Sequence, residues 1–305
     1  MSKNSSKKQL ITVVGPTAIG KTAMAIQIAQ HFNCPILSAD SRQFFKEMRI
    51  GTAVPSEEEL QAAKHYFVQN ISIFDTYTVG DFERDAIALL DELYKNHDTV
   101  VLVGGSGLYI DAVLKGFDDF PDVKSGVREE LVTQYNLHGI SYLQQELQRL
   151  DPEHYKNVAK ENPQRLMRAL EVCISAGKPY SSFLNIKKNS RNFTPIIVGL
   201  EAEREVMYSR INKRVAIMVD AGLIDEAKTV YPHKHLNALQ TVGYRELFSY
   251  FDGEQSLDFA IEEIKKNTRR FAKRQITWFK RNEATKWFNF KTPHNIVINY
   301  IKEQL

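Results

Sequence analysis

The apolar positions of the first 115 residues fall into two kinds of run. Leu10 to Val14, Pro35 to Ala39 and Thr99 to Val103 are short and rich in apolar, β-branched residues, as buried strands are. Between them lie longer stretches with helical spacing: Lys21 to His31, Glu57 to Lys64, and Thr78 to Lys95, where Phe82, Ala86, Leu89, Leu90 and Leu93 mark one face. His65 to Ile71 fits a further strand, and Arg42 to Pro55, closed by Gly51 and Pro55, reads as a loop. Alternation of strand and helix predicts a doubly wound parallel sheet. From Lys115 to Asn192 the pattern becomes purely helical: Val127 to Tyr135, Ser141 to Leu150, Asp151 to Lys160, and Pro163 to Ala176, stopped by Gly177 and Pro179. A strand returns at Pro195 to Leu200. Helical stretches at Arg204 to Ala221, Thr241 to Tyr250 and Leu257 to Lys280, a short strand at Lys286 to Phe290 and a last helix close the chain.

The expectation is therefore an α/β fold in which residues 1–115 and 194–305 build the sheet domain and 116–193 form an all-helical insertion. A chain of 305 residues is long enough to bury a full sheet and carry such an insertion. With 43% hydrophobic and 25% charged residues, the composition excludes a disordered chain. No apolar run reaches the length of a bilayer span. The leading MSKNSSKKQL lacks the apolar segment of a secretory signal, so the expected location is cytoplasmic. Cys34 and Cys173 stand alone, which argues against a disulfide framework or a zinc site.

Candidate chemistry begins directly after the first strand. Gly15, Pro16, Thr17, Ala18, Ile19, Gly20, Lys21 and Thr22 fit G-x-x-x-x-G-K-[ST] between a strand and a helix, the setting of a P-loop. Glycines let successive N–H groups turn inward, the helix N-terminus adds positive charge, Lys21 reaches a phosphate oxygen and Thr22 can hold Mg²⁺. The sheet is thus expected to be a P-loop, doubly wound parallel sheet. Asp40 ends the second strand, where ligands of open parallel sheets gather, although Asp before Ser is equally good turn chemistry. A second glycine-rich turn, Gly104, Gly105, Ser106 and Gly107, lacks the acidic residue that a P-loop NTPase offers Mg²⁺. Arg210 and Arg214, one turn apart, suit a leaving diphosphate or the outside of an amphipathic helix. Spacing leaves both readings open.

The net charge of +3 is too small to identify a partner, so its distribution matters more. Between Lys265 and Arg281 there are eight basic residues and no acid. Lys265, Arg269 and Lys273 form one line at i, i+4 spacing, and Lys266, Arg270 and Arg274 its neighbour, with Phe271 and Trp278 elsewhere on the helix. Read as unrelieved like charge, the stretch points to a polyanionic partner rather than a solvated face.

With these residues in view, the sequence resembles the tRNA dimethylallyltransferases, or tRNA isopentenyltransferases, over nearly its whole length. The resemblance rests on GPTAIGKT at 15–22, SADSRQFFKEMRIGTAVP at 38–55, YTVGDF at 77–82, VGGSGLYI at 103–110, NPQRLMRALEV at 162–172, QTVGYRE at 240–246 and TRRFAKRQITWFKR at 268–281. It implies transfer of a dimethylallyl group from dimethylallyl diphosphate to N6 of the adenosine beside the anticodon of tRNA, at position 37, with Mg²⁺ as the metal. The P-loop would then hold a prenyl diphosphate, and Asp40 would take the amine proton. Thr17, Lys21 and Arg214 or Arg210 would stabilise the departing diphosphate.

The same resemblance implies a tRNA contact formed by Asp40, Ser41, Arg42, Gln43 and Ser106, by Gln164, Arg165, Leu166, Met167 and Arg168, and by Gln240, Thr241, Val242, Gly243, Tyr244 and Arg245. Lys273, Arg274, Gln275, Ile276, Thr277, Trp278, Phe279, Lys280 and Arg281 complete it. The helical insertion would grip the anticodon stem, with Arg128 a further phosphate contact, and the enzyme would act as a monomer. The chain departs from the family pattern at Phe45 for Tyr, Arg49 for an acid, Val54 for Lys, Ser106 for Thr, and His65-Tyr66-Phe67 for His-His-Leu. Competing readings are a P-loop small-molecule kinase or NTPase, prenyl transfer to a free adenine nucleotide, and an RNA-binding module with a structural P-loop.

Overall fold

Residue alternation along the first strand sets the architecture. In β1 (Gln9–Val14) Leu10 and Val14 face one side of the sheet and Ile11 and Val13 the other, and all four are buried. A strand buried on both faces needs helices on both, and the computed structural model, which describes residues 7–118, 120–184 and 190–305, supplies them.

The elements run in order as α1 (Lys21–Phe32), β2 (Ile36–Ser38), α2 (Glu57–Ala62), β3 (His65–Tyr66), α3 (Val79–Leu93), β4 (Thr99–Val103) and α4 (Gly107–Lys115). Four helices follow, α5 (Val127–His138), α6 (Ile140–Leu150), α7 (Pro152–Asn157) and α8 (Pro163–Ala176). The chain then continues through β5 (Thr194–Glu201), α9 (Arg204–Asp220), α10 (Leu223–Val230), α11 (Tyr244–Phe251), α12 (Leu257–Phe279), β6 (Lys286–Asn289) and α13 (His294–Gln304). The strands pair in parallel in the order β3-β2-β4-β1-β5-β6. One face packs Ile11 and Val13 against Met24 and Ile28 of α1 and Val297 and Ile301 of α13; the other packs Leu10 and Leu102 against Phe82 and Leu90 of α3 and Ile110 of α4. This is the expected P-loop, doubly wound α/β sheet. Among the described residues no helix is long and apolar enough to cross a membrane.

The chain divides into two compact units, one comprising residues up to Lys115 and from Arg191 onward, the other Gly116–Ser190. Arg191 belongs to the sheet unit because its guanidinium donates to Glu83 and to the carbonyl of Ala112, and Phe193 packs into the sheet core. The helical unit has its own core of Leu131, Leu143, Leu147, Leu166, Leu170 and Cys173. Asp151 caps α7 through His154 N–H and also accepts from the Ser181 amide and hydroxyl.

Four elements differ from the sequence pattern. The strand expected over 65–71 stops after Tyr66, because Phe67 and Gln69 adopt positive φ of 59° and 48° and turn the chain toward the loop after β2. Ile71 then pairs with Phe44 to Lys46 instead of extending β3. The helix expected to reach Lys160 ends at Asn157, where Val158 is extended. Helix α10 was not visible as a separate element; Gly222, at φ 100°, breaks it from α9. Helix α11 begins at Tyr244 rather than Thr241 because Gly243 occupies the N-cap at φ 101°, its amide bonded to Glu246.

Candidate active site

The P-loop is held from three directions. Lys21 Nζ donates to the Pro16 carbonyl at 2.8 Å, Arg210 Nε donates to the Ala18 carbonyl at 2.8 Å, and the Thr17 amide donates to Gln275 Oε1 at 2.8 Å. Arg214 Nη1 lies 3.4 Å from Thr17 Oγ1. Both arginines of α9 therefore reach the P-loop, Arg214 half-buried and Arg210 exposed. Burial lowers the Lys21 pKa to about 8, with Arg214 adding repulsion and Asp40 opposing it. Arg214 is likewise lowered by burial, and Asp40 offsets part of that.

Asp40 both closes a turn and faces open space. Its Oδ1 accepts from the Arg42 amide at 3.2 Å, closing the turn after β2, while the residue lines two neighbouring cavities. One cavity, of about 620 Å³, holds the P-loop from Thr17 to Thr22 with Arg210 and Lys213. The other, of about 470 Å³, is bounded by Ser41, Arg42, Ser106, Arg245, Phe271, Arg274 and Trp278. Thr17, Asp40, Thr52, Ala53 and Arg214 line both, so the two cavities adjoin at these residues.

Contacts within the protein fix the cavity walls. Ser106 Oγ accepts from the Ser41 amide at 3.0 Å and lies 3.1 Å from its hydroxyl, tying β2 to the turn after β4. The serine that departs from the family threonine thus keeps its hydroxyl in use. Arg42 donates to the carbonyls of Asn237 and Ala238, and Gln43 to those of Thr52 and Ala53. Gln240, Thr241, Val242, Gly243 and Arg245 line the second cavity.

Several residues assigned to the RNA contact by resemblance face inward instead. Tyr244 is fully buried, and Phe279 packs into the sheet core beside Leu10 and Leu102. Gln275 is buried with both ends of its amide used: Oε1 holds the P-loop and Nε2 donates to the Gly105 carbonyl at 2.9 Å. Ile276 packs beside Met207, Ile211 and Ala272. In the helical unit Leu166 and Met167 are core residues, which leaves Gln164, Arg165 and Arg168 of that run on the surface. Arg128 is engaged by Glu171, at 2.7 Å, and by Gln164. The cause is the same in each case: a helical run shares its residues between a buried and an exposed face.

The charge on α12 is also less bare than its sequence reads. Lys265 and Lys266 pair with Glu262 and Glu263 on the preceding turn, Arg269 donates to Asn212, and Lys280 pairs with Glu201 at 2.7 Å. Among the described residues Lys273, Arg274 and Arg281 have no carboxylate within ion-pair distance. Arg274 lies over the Phe271 ring and Arg281 over Trp278, whose indole N–H donates to Asp111 at 2.9 Å. Asp111, on α4, gave no local signal in the sequence; it becomes meaningful only when α12 arrives beside it.

A family model described as IPP transferase matches residues 43–282. A Flavobacterium johnsoniae protein named tRNA dimethylallyltransferase is 65% identical over 98% of both chains. Among solved structures, the full-length tRNA isopentenylpyrophosphate transferase of Bacillus halodurans is 34% identical, covers 98% of this chain and 97% of its own, and has a TM-score of 0.72. A eukaryotic dimethylallyltransferase described as acting on tRNA has a TM-score of 0.79 at 23% identity, covering 93% of this chain and 74% of its own, and supports the fold alone. The chain belongs to the IPP transferase family.

Proposed function

We propose that this enzyme transfers the dimethylallyl group of dimethylallyl diphosphate to N6 of the adenosine at position 37 of tRNA and releases diphosphate. The observation that carries this reading is the meeting of two unlike cavities at Asp40, Thr17 and Arg214. The P-loop N–H groups and Lys21 bind the diphosphate on one side. On the other, Phe271, Trp278 and Arg274 offer aromatic and cationic surface to an adenosine turned out of its loop. Asp40 accepts the N6 proton as the N6–carbon bond forms and the carbon–oxygen bond to diphosphate breaks. Arg214, Arg210 and Lys21 receive the charge that develops on the leaving group.

Among the described residues no three His, Cys, Asp or Glu side chains cluster to hold a metal. Mg²⁺ commonly binds through one or two protein oxygens, with phosphates and water filling the remaining positions. Thr22 and Asp40, lining one cavity, fit that mode. Mg²⁺ bound there with the diphosphate would neutralise part of its charge. Gln164, Arg165 and Arg168, exposed on α8, suit the grip of the helical unit on the anticodon stem.

The test is incubation of the purified protein with Mg²⁺, labelled dimethylallyl diphosphate and unmodified tRNA, followed by nucleoside digestion and mass analysis. The expected product is N6-dimethylallyladenosine. Asp40→Ala should bind tRNA normally while turnover falls by about 10²–10⁴. No product, with ATP consumed in a parallel reaction, would make phosphoryl transfer the better reading.

A further inference from the structure

Between the two cavities runs a loop, residues 49–53, that is fastened from behind by a carboxylate outside the site. Glu226 lies on α10 and lines neither cavity. Its Oε2 accepts from the amides of Arg49 and Ile50 at 2.9 and 2.7 Å, and its Oε1 from the amide of Gly51 at 2.8 Å and the Tyr244 hydroxyl at 2.6 Å. Three successive N–H groups converge on one carboxylate, and the phenol completes two donors for each oxygen. The Tyr244 ring presses on the same loop: a Cβ added at Gly51 would lie 2.6 Å from the ring carbons and hydroxyl. From the opposite side Gln43 holds the carbonyls of Thr52 and Ala53 at 3.2 and 2.9 Å. Thr52 and Ala53, which line both cavities, thus stand between two clamps, and Ala53 is kept at φ 49°.

We propose that Glu226, with Tyr244, is a positioning residue for the reaction: it latches loop 49–53 so that Thr52 and Ala53 form the wall along which the prenyl carbon and the adenine amine are aligned. The proposal rests on the prenyl-transfer reading. It reassigns Tyr244 from RNA contact to loop support. The latch is built from charge-assisted bonds to backbone, which add directional restraint to the packing of Ile50 on the core around Tyr244. Its loss should leave the P-loop intact and loosen alignment, so it should affect turnover more than donor binding.

Hydrogen–deuterium exchange on the full chain, read at amides 49–51, together with steady-state kinetics on tRNA and dimethylallyl diphosphate, tests this. Glu226→Gln places an amide donor against the converging N–H groups and should speed exchange at 49–51 by about 10- to 100-fold, the equivalent of one charged hydrogen bond lost. kcat should fall about tenfold while KM for dimethylallyl diphosphate changes less than about threefold. Tyr244→Phe removes one of four donors and should give the same pattern at smaller amplitude. It also serves as the deciding variant if Glu226→Gln does not fold. Faster exchange with unchanged kcat would overturn the proposal, as would lost turnover with exchange at 49–51 unchanged. A collapse of kcat, KM and protection throughout the sheet together would assign Glu226 to general folding instead. If the unsubstituted protein makes no prenylated adenosine, the prenyl-transfer reading fails on its own, while exchange at 49–51 still reports whether the latch exists.

Discussion

Two glycine-rich turns, one after β1 and one after β4, read alike in the sequence and work by different physics. In the first, Gly20 sits at φ 107° with open space where a Cβ would be, so its requirement is conformational, and Gly15 joins φ 146° to a close approach, its Cβ position lying 2.6 Å from the Leu200 carbonyl oxygen. In the second, no positive φ is involved at Gly104, Gly105 or Gly107. There the constraint is room. A Cβ at Gly104 would lie 2.5 Å from the Ala39 carbonyl, one at Gly105 would overlap the Gln275 amide and one at Gly107 the Trp278 indole. The first turn is shaped by backbone conformation between β1 and α1; the second lets the end of β2 and α12 approach the end of β4.

The largest effect that separates the turns is expected at Lys21. Lys21→Met should lower turnover by about 10²–10³, because a charge aimed at the leaving group is lost, while thermal stability at neutral pH holds or rises as a buried charge is removed. A large stability loss would mean that Lys21 serves to hold Pro16 rather than diphosphate. The second turn should respond in the opposite currency. Gly105→Ala pushes a methyl into Gln275 and should cost about 1–3 kcal/mol of stability, with KM for the donor rising because Gln275 also anchors Thr17. Gln275→Ala makes room for that methyl, so in the double variant the two stability losses should be clearly less than additive in a thermal or denaturant unfolding series. Strict additivity would break the claim that these two residues meet.

That contrast explains what the sequence reveals. The P-loop is legible because strand, glycines, Lys21, Thr22 and helix lie within one short stretch, and the sheet because fully apolar runs alternate with helical spacing. Asp40 and the arginines of α9 are visible as candidates, but only the cavities that Asp40 lines and the contacts of Arg214 with Thr17 and of Arg210 with Ala18 place them around the P-loop. Gln275, Asp111 and Tyr244 are opaque for a single reason: each acts through a partner more than fifteen residues away, and nothing in the local pattern distinguishes a polar side chain facing inward from one facing RNA. Block resemblance has the same limit. It carried Leu166, Met167 and Phe279 into the RNA contact together with true surface neighbours, because a motif follows the chain while a helix sorts its residues by face. The basic run of α12 misled in another way, since the acids that relieve it lie one turn before the run and on β5.

The smallest expected effect is a titration that only the first turn possesses. Lys21 has a folded-state pKa of about 8, below its ordinary 10.5, chiefly from burial. Between those values the folded chain binds fewer protons at this site than the unfolded chain, so the contribution of Lys21 to stability without ligand should increase as pH rises from about 8 toward 10.5. Donor binding must run the other way. The diphosphate prefers the ammonium, and deprotonation above pH 8 should raise KM for dimethylallyl diphosphate by up to about tenfold per pH unit if only the charged form binds. Opposite Lys21 contributions to the unfolding midpoint and to donor affinity, read as the difference between the parent and Lys21→Met, would tie the first turn to the anion by one group. Gly105→Ala places its methyl 3.7 Å from Lys21 Nζ as well as against Gln275, and by removing water there should lower the Lys21 pKa further and move both curves toward lower pH. Curves that stay where they are in the parent would mean that the Lys21 ammonium moves away from the added methyl, and the second turn would then act on the first only through Gln275.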